Sequence, residues 1–228
     1  MTEIPANNPE LNTDSNKATL KTIYIIRHGE TDLNRRGIVQ GRGMNTDLNE
    51  FGKLQSDAFH QAYQHVPFDK IYTSTLKRTH QTVQKFIDSG IAWEQFPGLD
   101  ELAWGIYEGK DSTEETKSAF RNMTHNWSQG DLHHKFEQGE SPLEVKERQL
   151  IVIQHLLQNT EDRNVLICMH GRALRLFLCL LTNIPLTEMD KFPHLNTTLY
   201  KVIYDGISFR IDDFNNTDHL KYLLANKK

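Results

Sequence analysis

A chain of 228 residues, 37% hydrophobic and 25% charged, has the balance of a globular protein with room for one large core, which excludes a disordered or fibrous class. The net charge of -4 argues against gripping nucleic acid through its phosphate backbone, so any phosphate contact has to be local. The two cysteines, Cys168 and Cys179, lie in apolar surroundings and read as buried thiols, which suits a reducing cytoplasm and excludes a disulfide framework or a zinc site.

Residues 1–20 lack the basic and apolar regions of a secretion signal and read as a loosely attached tail, leaving 21–228 as a single catalytic domain. The longest apolar stretch, residues 173–182, contains Arg175 and is too short to cross a bilayer, so no membrane partner is expected. The first strand is read over 21–27, and its apolar run Ile23-Tyr24-Ile25-Ile26 gives way to Arg27-His28-Gly29-Glu30. A central parallel strand is buried on both faces, so this switch marks where the chain leaves the core. A glycine-punctuated loop carrying Arg35, Arg36 and Arg42 follows as a binding-loop candidate. Asn49 is placed to cap a helix over about 50–65 that Pro67 stops.

A second strand is read over 69–73, and Ser74 or Thr75 can cap a helix that carries Arg78 in its first turn and ends at Gly90. Residues 100–139 show no clean periodicity, and the stretch from about 104 to 140 is read as an inserted cap. Ser141-Pro142-Leu143-Glu144 then has the form of a capping box and opens a long helix to about Gln158. The strand over 165–169 repeats the pattern of the first, ending in His170-Gly171 ahead of a leucine-rich helix. Asp205-Gly206 between two β-rich runs predicts a two-residue type I′ hairpin, an edge that could serve a homodimer while leaving the oligomeric state open. Strands alternating with helices indicate a three-layer α/β/α sandwich with a mainly parallel sheet.

Two strands each deliver a histidine followed by glycine, and a third leads into the helix bearing Arg78. As parallel neighbours they would bring Arg27, His28, Arg78 and His170 to one crevice. Two guanidinium groups, two imidazoles and the amides of helix starts form a pocket for a phosphoryl group, with no metal or other cofactor called for. His125, His133 and His134 are read as a solvated loop, since no i, i+4 pair or paired cysteines supports coordination.

Arg27-His28-Gly29-Glu30-Thr31 with Asn34 resembles the signature of the histidine phosphatase (phosphoglycerate mutase-like) superfamily. Similar to family patterns are Gln40-Gly41-Arg42, the Leu48, Gly52 and Gln55 spacing, residues 74–78 with Gln81-Thr82, and Leu99-Asp100-Glu101 with Glu108-Gly109. Gly139-Glu140-Ser141 and His170-Gly171 with Arg175 complete the set. The resemblance implies His28 as a phosphoryl-accepting nucleophile, and Arg27, Arg78, His170 and Asn34 as ligands of the phosphoryl oxygens. Gln40, Gly41 and Gly171 would line the substrate site, and Glu101 would protonate the leaving oxygen before activating water. The substrate is expected to be a small phosphorylated metabolite. A phosphoglycerate mutase and a catalytically silent phospho-ligand module are the alternatives, and the short span between Glu101 and His170 favours a hydrolase. Arg175 reads as structural. Arg172 stands where many members carry a second glycine and is expected to face solvent, the sharper alternative being that Arg172 or Arg42 reaches a second anionic group.

Overall fold

The computed structural model describes residues 20–225, so the expected tail lies, apart from Leu20, outside the described residues. In chain order the elements are β1 (Lys21–Arg27), α1 (Asp32–Arg35), α2 (Glu50–Tyr63), β2 (Lys70–Thr73), α3 (Lys77–Asp88), β3 (Ala92–Gln95) and α4 (Glu114–Ser128). They continue with α5 (Pro142–Gln158), β4 (Asn164–Met169), α6 (Gly171–Thr182), β5 (Leu199–Tyr204), β6 (Phe209–Asn216) and α7 (Lys221–Ala225). The six strands form one sheet in the order β3-β2-β4-β1-β5-β6, the first four parallel and the last two pairings antiparallel.

Strand geometry divides the core into two. Ile23 and Ile25 of β1, with Val165, Ile167 and Met169 of β4, pack with the apolar sides of α5 and α6. Ile26, Leu166 and Cys168 point to the other face and join Phe59 of α2 and Val83 and Phe86 of α3. Both faces are thus covered by helices, the expected three-layer arrangement with a mostly parallel sheet. Cys168 and Cys179 are buried free thiols.

The topology places the site. β4 lies between β1 and β2, and the register pairs Ile26 with Cys168 and Cys168 with Thr73, so all three strands end at one edge. The connection after β1 crosses one face of the sheet through α2, whereas the connection after β4 crosses the other through α6. This reversal opens a crevice between the two strand ends, where α/β sheets bind ligands.

Several expectations are corrected in detail. β3 was missed because this edge strand is mostly exposed and shows no alternation. α4 was missed because it buries only Met123 and Trp127, too few for a helical stripe, although Thr113 gives it a capping box. Trp104 and Gly139 are joined by an antiparallel bridge, with α4 between them in sequence. The turn tip is shifted by one residue: the ladder ends at Tyr204 with Phe209, the Asp205 amide still donates to the Ser208 carbonyl, and the Asp205 carboxylate accepts from the Ile207 and Ser208 amides around Gly206-Ile207. Leu76, not Ser74 or Thr75, caps α3, because the two hydroxyls are drawn to partners described below.

The start of α2 straps down the segment after β1. Asn49 donates its amide N–H to the Glu30 carbonyl and its side-chain N–H to the Glu30 carboxylate, while Gln55 accepts from the Glu30 amide. Glu30, a signature residue without an evident chemical step, is thereby a positioning carboxylate. The Gly29 and Gly52 backbones touch here: a Cβ on Gly29 would lie 2.7 Å from the Gly52 carbonyl oxygen, and one on Gly52 would overlap the Glu30 backbone. Gly52→Ala should therefore lower stability by about 1–3 kcal/mol, as overpacking does. Urea denaturation measures this, and an unchanged midpoint would show that the two segments separate freely.

Candidate active site

His28 is buried directly beyond β1, and its two ring nitrogens have different partners. Nδ1 lies 2.7 Å from the Gly29 carbonyl oxygen, an acceptor, so Nδ1 carries the proton. Arg78 donates its Nε–H to Nε2 at 3.3 Å, so Nε2 holds a lone pair. The same Nε–H reaches Nδ1 of His170 at 3.2 Å, which leaves His170 Nε2 to donate to the Ser74 hydroxyl at 2.7 Å. The two imidazole centroids are 5.1 Å apart, with the arginine between them.

Arg78 is fully buried on the first turn of α3 and forms no ion pair among the described residues. Its remaining N–H groups reach the carbonyl oxygens of Met44 at 2.6 Å and Gly41 at 3.4 Å. Burial lowers its pKa to about 10, still a cation at neutral pH. Arg27 is likewise lowered by burial to about 10, and it donates to Nδ1 of His194 at 3.2 Å. Burial, followed by the charges of Arg78 and Arg27, holds His28 well below the ordinary imidazole value. His170 is held low by burial and Arg78, and His194 is pushed down to about 2 by burial and Arg27. All three imidazoles are neutral, so the site's positive charge resides on the arginines.

The crevice opens into a cavity of about 530 Å³ that reaches α4. Arg27, His28, Asn34, Gln40, Glu101 and Gly171 line it, as does His194, which sequence reasoning missed. His194 follows Pro193 in a stretch without periodicity, so no spacing signalled it. Gly171 has a packing reason, since a Cβ there would come within 2.7 Å of the His194 ring. Gly41 lies outside the cavity wall and acts through its carbonyl on Arg78. His170 and Arg78 are not among the residues that line the cavity, and the Arg78 Nε–H reaches it beside His28 Nε2. His170 is neutral here and accepts from Arg78.

Glu101 is the one acidic residue among those lining the cavity. Its carboxylate accepts from the amides of Leu102 at 2.9 Å, Arg172 at 3.1 Å and Ala173 at 2.9 Å. Glu101 thus caps α6, whose own N-cap residue His170 makes no side-chain capping bond. Asn45 occupies the Lys77 amide at the start of α3 in the same way. The Lys77 amide at the start of α3 and the Arg172 and Ala173 amides at the start of α6 are therefore taken by side chains. The two neighbouring carboxylates are engaged elsewhere. Asp100 accepts from the Thr75 amide and hydroxyl and from Arg42, while Glu108 accepts from the Trp104 amide and is raised above the usual carboxylate range by burial.

Arg148 of α5 fixes the segment that carries Glu101. It donates to the carbonyl oxygens of Gly98, Asp100 and Glu101 and pairs with Glu140 at 3.0 Å. Arg42 is held by Asp100 and Glu140 away from the cavity, so it reaches no second anion. Arg172 does not face solvent: it bonds Asp190 at 2.7 Å, lies 5.5 Å over the Trp127 ring and lines the cavity. Arg175 shares Asp190 and is structural, as expected. Among the described residues no group of three or more His, Cys, Asp or Glu could hold a metal ion, His125, His133 and His134 included. Among them, too, no helix is long and apolar enough to cross a membrane.

The sequence profile of the histidine phosphatase superfamily (branch 1) matches residues 23–217. A Hydrogenobacter thermophilus protein named "Putative phosphoserine phosphatase 2" is 26% identical over 205 residues, 90% of this chain and 100% of that protein. Human 6-phosphofructo-2-kinase/fructose-2,6-bisphosphatase 1 is 29% identical over 81% of this chain, and the match spans 37% of that protein's length. The structure of an Entamoeba histolytica phosphoserine phosphatase in complex with 3-phosphoglyceric acid has a TM-score of 0.76 at 24% identity, covering 88% of this chain and 99% of that one.

The neutral imidazoles link folding to pH. In the unfolded chain each takes up a proton near pH 6.5, whereas in the folded protein each resists it, so acidification favours the unfolded state. Their contribution is present above about pH 6.5 and is lost as pH falls toward the folded values, for His194 toward about 2. The expected slope is about 1.4 kcal/mol per pH unit for each such histidine. Urea midpoints measured from pH 7 to 5 should fall, and fall less in His194→Asn; a flat profile contradicts the neutral assignment.

Proposed function

Because this chain belongs to the histidine phosphatase superfamily (branch 1), we propose that it hydrolyses phosphomonoesters of small metabolites through a phosphohistidine on His28, without a metal ion. The observation that carries this reading is the state of His28: neutral, with the proton fixed on Nδ1 and the Nε2 lone pair held beside the Arg78 cation. A nucleophile already deprotonated at neutral pH needs no separate base.

Phosphate entering between His28 and Arg27 takes up hydrogen bonds from Arg27, from the Arg78 Nε–H now shared by the two imidazoles, and from the Asn34 amide. The His28 Nε2–P bond forms as the ester P–O bond breaks, and the leaving oxygen receives its proton from Glu101, which enters the step as the carboxylic acid and leaves it as the carboxylate. Water then attacks phosphorus, giving a proton to Glu101, and the N–P bond breaks to release inorganic phosphate. Charge spread over the equatorial oxygens in both steps is met by the fixed guanidinium groups. The dianion's charge beside His170 favours its protonated form, which makes it a donor when substrate is bound.

Hydrolysis is favoured over phosphoryl return because the cavity reaches solvent past the exposed Lys117 and Arg121, so water has a path to the intermediate. The phosphatase names of the relatives support the same reading, as does the class of small phosphorylated compound those names contain. The buried free thiols Cys168 and Cys179 fit a cytoplasmic setting.

Incubation with a phosphorus-labelled ester, followed by rapid quenching, should trap an acid-labile phosphoenzyme that forms equally well with a chelator present. His28→Ala should lose both trapping and turnover, and appreciable residual turnover rules out His28 as the acceptor. Glu101→Gln should slow hydrolysis of alkyl phosphates on the order of 10²- to 10⁴-fold, and of an aryl phosphate much less, because that leaving group needs no proton. Equal losses on both remove Glu101 from the acid role.

A further inference from the structure

Resting on the phosphatase reading, we propose that Asn196 is a positioning residue for phosphoryl transfer: it turns the Asn34 amide so that the amino group, and not the carbonyl oxygen, is offered to the phosphoryl group. The two ends of a side-chain amide have nearly the same shape, so packing alone does not choose between them. The choice matters, because the amino end donates to an anionic oxygen and the carbonyl end repels it. Hydrogen bonds decide it here. The Thr31 amide N–H, which can only donate, lies 3.2 Å from Asn34 Oδ1. Asn196 supplies a second donor to the same oxygen: its Nδ2 lies 3.2 Å from Asn34 Oδ1 and 2.9 Å from the His28 carbonyl oxygen, an acceptor that fixes which end of Asn196 is the amino group. Both hydrogens of that amino group are thereby used. Asn34 Oδ1 takes two donors, which leaves Nδ2 for the cavity that Asn34 lines.

The turn that carries Asn196 is held under strain. Thr198 donates its amide N–H to the Leu195 carbonyl at 3.2 Å, closing a turn over 195–198, and the Leu195 amide donates to the Thr198 hydroxyl at 2.8 Å. Thr197 stands third in this turn with φ of 58°, the left-handed region that such turns ordinarily fill with glycine, and a β-branched side chain there costs free energy. The conformation persists only where the surroundings impose it. Thr197 is wholly buried, its amide donates to the Arg27 carbonyl at 3.0 Å, and its hydroxyl lies 3.3 Å from His219 Nε2. The turn is thus pinned to the last residue of β1, directly before the nucleophile. An ordinary negative φ at Thr197 would open the turn and carry Asn196 off both of its partners. Backbone strain gathers at sites whose geometry matters, and what this turn holds in place is one amino group between the nucleophile's carbonyl and the Asn34 amide.

A double-mutant cycle on kcat/KM tests the role, with an aryl phosphate as substrate so that proton transfer from Glu101 does not enter. Asn196→Ala should lower kcat/KM by about tenfold, the effect of losing one hydrogen bond to a charged group. In an Asn34→Ala background the same substitution should cost less than about twofold, the scatter within which independent effects add. A residue that only supports the fold lowers activity whichever side chain stands at 34, so an equal loss in both backgrounds overturns the proposal, as does no loss in the parent protein. Asn196→Asp keeps the shape but has no N–H to give, and it should lose at least as much as Asn196→Ala; parent-level activity there shows that shape suffices and also overturns the proposal. Turnover without coupling sinks the positioning role alone and leaves the phosphatase reading standing. Calorimetry with orthovanadate, a phosphate-like oxyanion, repeats the cycle without turnover. If no phosphomonoester is hydrolysed, coupling between Asn34 and Asn196 in vanadate affinity still upholds the positioning role, and additive or absent losses sink it.

Discussion

A full positive charge is buried at the centre of this site, and among the described residues no carboxylate lies within ion-pair distance of it. Arg78 is fully enclosed, and each of its three nitrogens donates: Nε–H to two imidazole nitrogens, and the two amino groups to the Met44 and Gly41 carbonyl oxygens. An unpaired buried charge is tolerable only when it is fully hydrogen-bonded, so the surroundings of Arg78 are constrained from several directions at once. The loop after α1 must supply the Met44 and Gly41 carbonyls, while β1 and β4 must each supply an imidazole that accepts. In return, the arginine fixes both tautomers and prevents either ring from taking a second proton. Ser74 completes the arrangement by accepting from His170 while it also accepts from the Leu76 amide, so the α3 start and the histidine behind the nucleophile share one hydroxyl.

Much of this arrangement was legible because it depends on patterns that strands and helices impose on sequence. Continuous apolar runs at 23–26 and 165–169 marked strands covered on both faces, and the abrupt Arg27-His28 and His170-Gly171 endings marked their common edge. What could not be read are contacts between segments with no fixed spacing. His194 arrives from an irregular stretch, Glu101 finds its donors on a helix 71 and 72 residues away, and Arg148 grips three carbonyls about 50 residues back. Charge signs misled in a particular way: Arg172 looked like a solvated cation, because nothing in the sequence shows that Trp127 and Asp190 enclose it.

The segment between Trp104 and Gly139 follows a different logic from the rest. Its aromatic residues pack largely on one another, with Tyr107 and Phe136 at 4.2 Å, Trp104 and Phe120 at 4.9 Å, and Trp104 stacked near Trp127. A helix stabilised through a few large rings leaves the rest of its surface free to vary. Lys117, Arg121 and Thr124 of α4 face the cavity at helical spacing, and none of them is needed to cover the sheet. The reacting end and the recognising end of the cavity are therefore built by different parts of the chain under different constraints.

The carboxylate that caps α6 ties chemistry to architecture. Glu101 occupies the position at which a helix start attracts negative charge, and the helix it caps follows His170 and carries Arg172. In the proposed mechanism, each proton that Glu101 gains or gives up changes the charge facing that first turn and the strength of its bonds to the Arg172 and Ala173 amides. On that mechanism the first turn of α6, with Arg172 on it, is coupled to the proton on Glu101 through two backbone hydrogen bonds.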